Sequence, residues 1–207
     1  MGRQQEVINM STTNKKFNTY RLTALGILTA IIIVLQIFST FVKFGPFSIT
    51  LALIPIVIGA AMFGAGAGAY LGGVFGVVVL LMCIFGADFG GAMVWNANPL
   101  ICAILVILKG ALSGFEAGVH YRALESGNKL VATVVAALIA PVVNTGIFIL
   151  GMVIFFKDTL NAWAGGTDVL YYIIFGLTGV NFLVEVGTNI ILCPVVAKIM
   201  DAVKKNK

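Results

Sequence analysis

Charge is scarce in this sequence: Asp, Glu, Lys and Arg make up 10 % of its 207 residues, against 60 % hydrophobic. No soluble domain has that composition. Histidine occurs once and cysteine three times. With no paired Asp motif and no His/Cys cluster, a metal centre, a metal-dependent hydrolase or a bound cofactor has no residues to hold it. Cys83, Cys102 and Cys193 are an odd number and all fall within apolar runs, so they read as small buried hydrophobes rather than disulfides. No basic patch interleaved with aromatics is present, which excludes nucleic acid as a partner.

Long apolar runs fill the chain instead: Leu22–Phe41, Leu51–Phe63, Ala69–Ile84, Leu100–His120, Val131–Phe156 and Val169–Lys198. A spanning helix takes about 20 apolar residues. The first, fourth, fifth and sixth runs suffice alone. The second and third are short and joined by Gly64-Ala-Gly-Ala-Gly68. They read as two spans, with a re-entrant pair as the alternative. The expected fold is an all-α integral membrane protein with six transmembrane helices in a compact bundle. Residues 1–18 form a polar, mobile N-terminal tail on the cytoplasmic side, and residues 19–207 a single membrane domain. The first apolar run starts too late for a signal peptide and lacks its exit site.

Both termini are expected in the cytoplasm of a multi-pass protein of the cell membrane, surrounded by lipid. That orientation puts Arg3, Lys15, Lys16, Arg21, Arg122, Lys129, Lys198, Lys204, Lys205 and Lys207 inside and only Lys43 and Lys157 outside. The net charge of +5 is therefore a topology signal. Small residues recur every fourth position at Gly68, Gly72 and Gly76, and again at Gly110, Gly114 and Gly118. Such ridges let helix backbones approach closely in lipid; they serve packing within the chain or docking of another protein. Gly64-x-Gly66 lies between two spans with no βαβ unit and no Lys-Ser/Thr after it, so it is a tight connection and not a phosphate cradle. Pro141 and Pro194 lie inside apolar runs, where a lost donor is tolerated beside a neighbouring helix or a cavity.

Apart from Lys198, which ends the last run, three charged side chains fall inside the runs: Lys109, Glu116 and Glu185. A charge at that depth marks function by default. Through the assumed topology, Lys109, Asn144 and Glu185 come from three helices to one depth, near mid-membrane. Asn181, Glu185 and Asn189 repeat every four residues on one face. These residues could bind a ligand, or Lys109 could simply neutralise Glu185 or Glu116. Glu116, seven residues from Lys109, lies about 10 Å along the axis, nearer the cytoplasmic end. The loop before the fourth long run adds Asp88, Trp95, Asn96 and Asn98, suited to a small polar ring or amide, or to interfacial anchoring and turns. Trp163 and Asn161 in a later outer loop read the same way.

Catalysis is the competing class. Gly110-Ala-Leu-Ser-Gly114 resembles part of an intramembrane serine protease, and His120 is on the same run. Seven residues put Ser113 and His120 about 10 Å apart on one helix, beyond the reach a nucleophile and its base require. No catalytic residue is assigned.

The chain resembles the S components of energy-coupling factor (ECF) transporters, small membrane proteins that bind a vitamin for an ABC-type uptake machine. The likeness runs from about Arg21 to Lys204. It is carried by Ile54-Pro-Ile-Val-Ile-Gly59 with Gly68-Ala-Tyr-Leu-Gly72, by Lys109-Gly-Ala-Leu-Ser-Gly114 with Gly118, by Asn144-Thr145 after Pro141, and by Glu185-x-x-x-Asn189 before Pro194. The resemblance implies a six-helix bundle with a substrate pocket near its outer end. Loops after the first, third and fifth spans would close it. It implies partners as well: a transmembrane coupling subunit that docks on a small-x-x-x-small motif of the first span, and two ATPase subunits. Gly26 and Ala30 match that motif, with glycine where alanine is usual. The motif order is closer to the pantothenate type; the riboflavin type usually shows a Lys-Asp-Leu-Leu-like stretch where this chain has Phe75-Gly-Val-Val-Val.

The expected function is a membrane-embedded, non-catalytic substrate-binding subunit that takes a water-soluble vitamin from outside, pantothenate first and riboflavin or another vitamin behind it. Lys109, Asn144, Glu185, Trp95, Asn96 and Asn181 would bind the substrate. A structural or assembly membrane protein, its polar cluster serving as interhelical glue, is the alternative from another class. A self-contained channel is disfavoured, since no ring of repeated polar residues lines any one helix.

Overall fold

The computed structural model describes residues 2–39, 41, 43–44, 47–48, 50–179, 182–191 and 198. The described residues are helical almost throughout. α1 covers Gly2–Ser39; a two-residue antiparallel hairpin follows, β1 (Lys43–Phe44) on β2 (Phe47–Ser48), with Lys43 opposite Ser48. Next come α2 (Leu53–Phe63), α3 (Ala65–Ile84), α4 (Phe89–Ala97), α5 (Pro99–Leu124), α6 (Lys129–Phe155), α7 (Lys157–Ala164) and α8 (Val169–Tyr171). The chain then widens into a π-helical stretch, Tyr172–Gly179, and ends its described part in α9, Phe182–Ile191. The polar stretch read as an N-terminal tail is helical from Gly2 and forms the start of α1.

Among the described residues, four helices are long and apolar enough to cross a membrane: Thr19–Ser39 of α1, then α3, α5 and α6. The second and sixth expected spans are shorter as helices, α2 and α9. Eleven residues of α2 rise about 16 Å, half of a bilayer's hydrocarbon core of about 30 Å. Burial explains how so short a piece is accommodated. Leu53, Ile56, Val57, Ala60 and Phe63 are all buried, so α2 is sheathed by its neighbours, and only lipid-facing segments must be full-length helices.

The glycine ridges pair with each other. A Cβ on Gly68 would fall on the carbonyl oxygen of Gly114, one on Gly72 on that of Gly110, and one on Gly76 would come within 2.6 Å of the Ile107 Cα. α3 and α5 therefore run antiparallel with their backbones in contact, the packing that small residues permit in lipid. Beside the glycines, Phe75 and Leu71 of α3 join a core shared with α2, α5 and α6. Gly64, between α2 and α3, holds φ at 90°, and a side chain there would meet the Arg122 guanidinium at 2.5 Å. Glycine is demanded at that turn by backbone and by space. Asn98 and Asn128 accept from the first backbone N–H groups of α5 and α6 and so fix where these helices start. Pro141 sits inside α6 without ending it.

A polar cavity at one end of the bundle

The C-terminal ends of α1 and α3, the first half of α5, the second half of α6 and the start of α9 converge on one cavity of about 90 Å³. Thr50, which follows the hairpin, and Asp88, Gly91 and Val94 around α4 complete its wall. Polar groups come from every side: Gln36 from α1, Lys109 from α5, Asn144 and Thr145 from α6, Glu185 from α9. Phe75, Phe148 and Phe182 supply apolar surface between them. An apolar box with a few convergent polar groups is the usual build of a small-molecule site.

Lys109 lies over the Phe148 ring, its Nζ 5.0 Å from the centroid, within cation–π reach. Glu185 Oε1 accepts from the backbone N–H of Thr50 at 3.0 Å. Lys109 and Glu185 line the same cavity without forming an ion pair with each other, so the structure does not close the pair on itself. Asn144 and Glu185 are 3 % and 5 % exposed. Among the described residues nothing partners Asn144 Oδ1 or Glu185 Oε2. Buried polar atoms are nearly always satisfied, so these two need water or a ligand to complete them.

The structure thus brings together Lys109, Asn144 and Glu185 and leaves others aside. Trp95 packs against the hydrophobic core, and Asn96 is exposed on α4. Neither lines the cavity. Trp163 donates from Nε1 to Met93 Sδ at 3.1 Å, which ties α7 to α4. Asn181 lies outside the described residues. Gly26 and Ala30 sit on an exposed stretch of α1, and an added Cβ at Gly26 would meet nothing within 4 Å.

Gln36, Thr50, Cys83, Cys102, Phe75 and Phe148 line the site without having been singled out for it. Gln36 carried a usable signal, being the bulkiest polar side chain of the first apolar run; the others look like ordinary membrane residues. Ser113 and His120 do not form a catalytic pair. Ser113 Oγ is buried with no partner among the described residues. His120 Nδ1 donates to the Glu116 carbonyl oxygen at 2.9 Å and lies 3.6 Å from the Glu116 carboxylate.

The fold is similar to that of ThiT from Listeria monocytogenes, with a TM-score of 0.62 over 91 % of this chain and 97 % of that one, at 21 % identity. No significant match is found among curated protein sequences. The model of the family described as ECF transporter, substrate-specific component, matches residues 20–197. That component binds substrate and is not an enzyme, and the match spans most of the sequence: the chain belongs to the substrate-specific components of ECF transporters.

Proposed function

We propose that this protein captures a water-soluble vitamin in the polar cavity and passes it to a transmembrane coupling subunit powered by two ATPases. The observation that carries the reading is the set of unsatisfied buried acceptors, Asn144 Oδ1 and Glu185 Oε2, on a cavity that also holds the Lys109 ammonium. In this reading six segments cross the cell membrane, α2 and the α8–α9 region as the short or interrupted ones. Both termini face the cytoplasm and the cavity opens outward. The positive-inside distribution of Lys and Arg supports that orientation.

The wall asks for a ligand with two kinds of end. Lys109 suits a carboxylate, through a charge-assisted contact that is strong in a dry site. Glu185 and Asp88 suit hydroxyl, amide or cationic donors. Pantothenate, with a carboxylate at one end and hydroxyl and amide donors along its length, meets both demands and is the favoured substrate. The two carboxylates against one ammonium also favour a second reading, a vitamin with a cationic ring. A panel of B vitamins, tested for thermal stabilisation of the detergent-purified chain and by native mass spectrometry, separates them. Stabilisation by pantothenate supports the first reading, and stabilisation by a cationic vitamin replaces it with the second. Indifference to every vitamin would overturn both.

A further inference from the structure

Two thiols meet on the wall of this cavity. Cys83, near the end of α3, and Cys102, in the first turn of α5, both line it and are both buried and free. They face it from two neighbouring helices, α3 and α5. The antiparallel glycine register brings this about. Gly68 stands against Gly114, Gly72 against Gly110 and Gly76 against Ile107. Counted along the helices from Gly76 and Ile107, Cys83 and Cys102 come within about 3 Å of the same height on this seam. The close approach of α3 and α5 between Gly68 and Gly76 favours a disulfide one to two turns further on, since its Cα atoms must lie about 4.4–6.8 Å apart.

We propose that Cys83 and Cys102 form an oxidisable dithiol in the cavity, which closes to a disulfide that pins α3 to α5. With hydrogen peroxide as oxidant the step balances. One thiol sulfur attacks the peroxide, becomes a sulfenic acid and releases one water. The second sulfur displaces the sulfenic hydroxyl, the S–S bond forms, and a second water leaves. Two electrons pass from the sulfur pair to the peroxide, and both thiol protons end in water. The cavity, about 90 Å³, has room for a molecule of that size beside the sulfurs, given about 30 Å³ for each water. Because the pair shares a wall with Lys109, the linkage would put redox state in contact with the substrate site; its formation does not depend on which vitamin binds there.

The test is peroxide treatment of the full-length Cys193→Ser chain in detergent, followed by alkylation under denaturing conditions and peptide mapping by mass spectrometry. We expect a peptide pair joined through Cys83 and Cys102, lighter by two hydrogen atoms, separated by dithiothreitol, and missing in the Cys83→Ser/Cys193→Ser chain. Mapping the unsubstituted chain gives the same answer should Cys193→Ser fold poorly, because the linkage is read from the peptides themselves. The proposal is overturned if both thiols are alkylated as fully after peroxide as before. It is equally overturned if each is oxidised to a sulfinic acid without a linkage. A linkage in a chain that binds no vitamin would uphold the dithiol and sink the substrate reading alone.

Discussion

The backbone N–H of Thr50 donates to Oε1 of Glu185 at 3.0 Å, across 135 positions of chain. This bond ties the segment after the β1–β2 hairpin to α9 and orients the carboxylate, leaving Oε2 without a partner among the described residues. Position 185 therefore combines an anchoring role with a binding role, and two substitutions separate them. Gln keeps an acceptor for Thr50 but carries no charge; Ala removes both. If Oε2 receives a ligand donor, Glu185→Gln should weaken binding by about 1.5–3 kcal/mol, the worth of a hydrogen bond to a charged group, while the melting temperature holds. Glu185→Ala should lose binding and stability together. Calorimetric titration and thermal melts read the two effects. A Gln variant with unchanged affinity would confine Glu185 to anchoring.

Lys109 presents the complementary case. Its ammonium rests over Phe148 and makes no ion pair with Glu185, so it is available to a ligand carboxylate. Lys109→Met keeps the length and the apolar stem. Binding of pantothenate should fall by about 2–5 kcal/mol, the usual loss when one partner of a buried charge pair is truncated, with expression unchanged. Pantothenol, which has a terminal hydroxyl where pantothenate has its carboxylate, should be affected much less. Equal losses for the two ligands would show that Lys109 does not read the carboxylate.

The sequence brought Lys109, Asn144 and Glu185 to one height along their helices, and the three do line one cavity, because residues per turn and hydropathy set height along a helix. Direction around the axis was less accessible. Asp88 and Trp95 sit in one polar-aromatic stretch, yet the short helix α4 turns Trp95 onto the core and leaves Asp88 on the cavity. Thr50 reaches the site through a backbone group, which no residue pattern encodes. The glycine ridges announced close packing, whereas their mutual pairing between α3 and α5, and with it the meeting of Cys83 and Cys102, needed the antiparallel register. α2 was legible as an apolar run; that it is only 11 residues of helix wrapped in protein depends on neighbours far along the chain.

That register supplies a matched pair of substitutions. Gly72 meets the Gly110 carbonyl, whereas a Cβ on the adjacent Gly73 would touch nothing within 4 Å. Gly72→Ala forces α3 from α5 and should cost about 1–3 kcal/mol, as overpacking does. Gly73→Ala should be neutral or slightly stabilising, since alanine is the better helix former. Melting curves in one detergent compare them directly. Equal melting temperatures would mean that the α3–α5 seam is looser than its backbone contacts indicate.

Gly26 tests the partner rather than the fold. It lies on an exposed stretch of α1 where an added Cβ meets nothing within 4 Å, so a larger side chain there should leave the chain folded. If the Gly26-x-x-x-Ala30 stripe receives a helix of the coupling subunit, Gly26→Leu places a branched side chain between backbones that must approach closely. Vitamin binding by the isolated subunit should stay within twofold of the unsubstituted chain, while co-purification with the coupling subunit and its ATPases should drop severalfold. Gly66→Leu, on α3 at a position equally open to an added Cβ, provides the comparison. Unimpaired assembly with Gly26→Leu would move the docking surface off this face of α1. Loss of assembly for both variants would broaden it to include the start of α3.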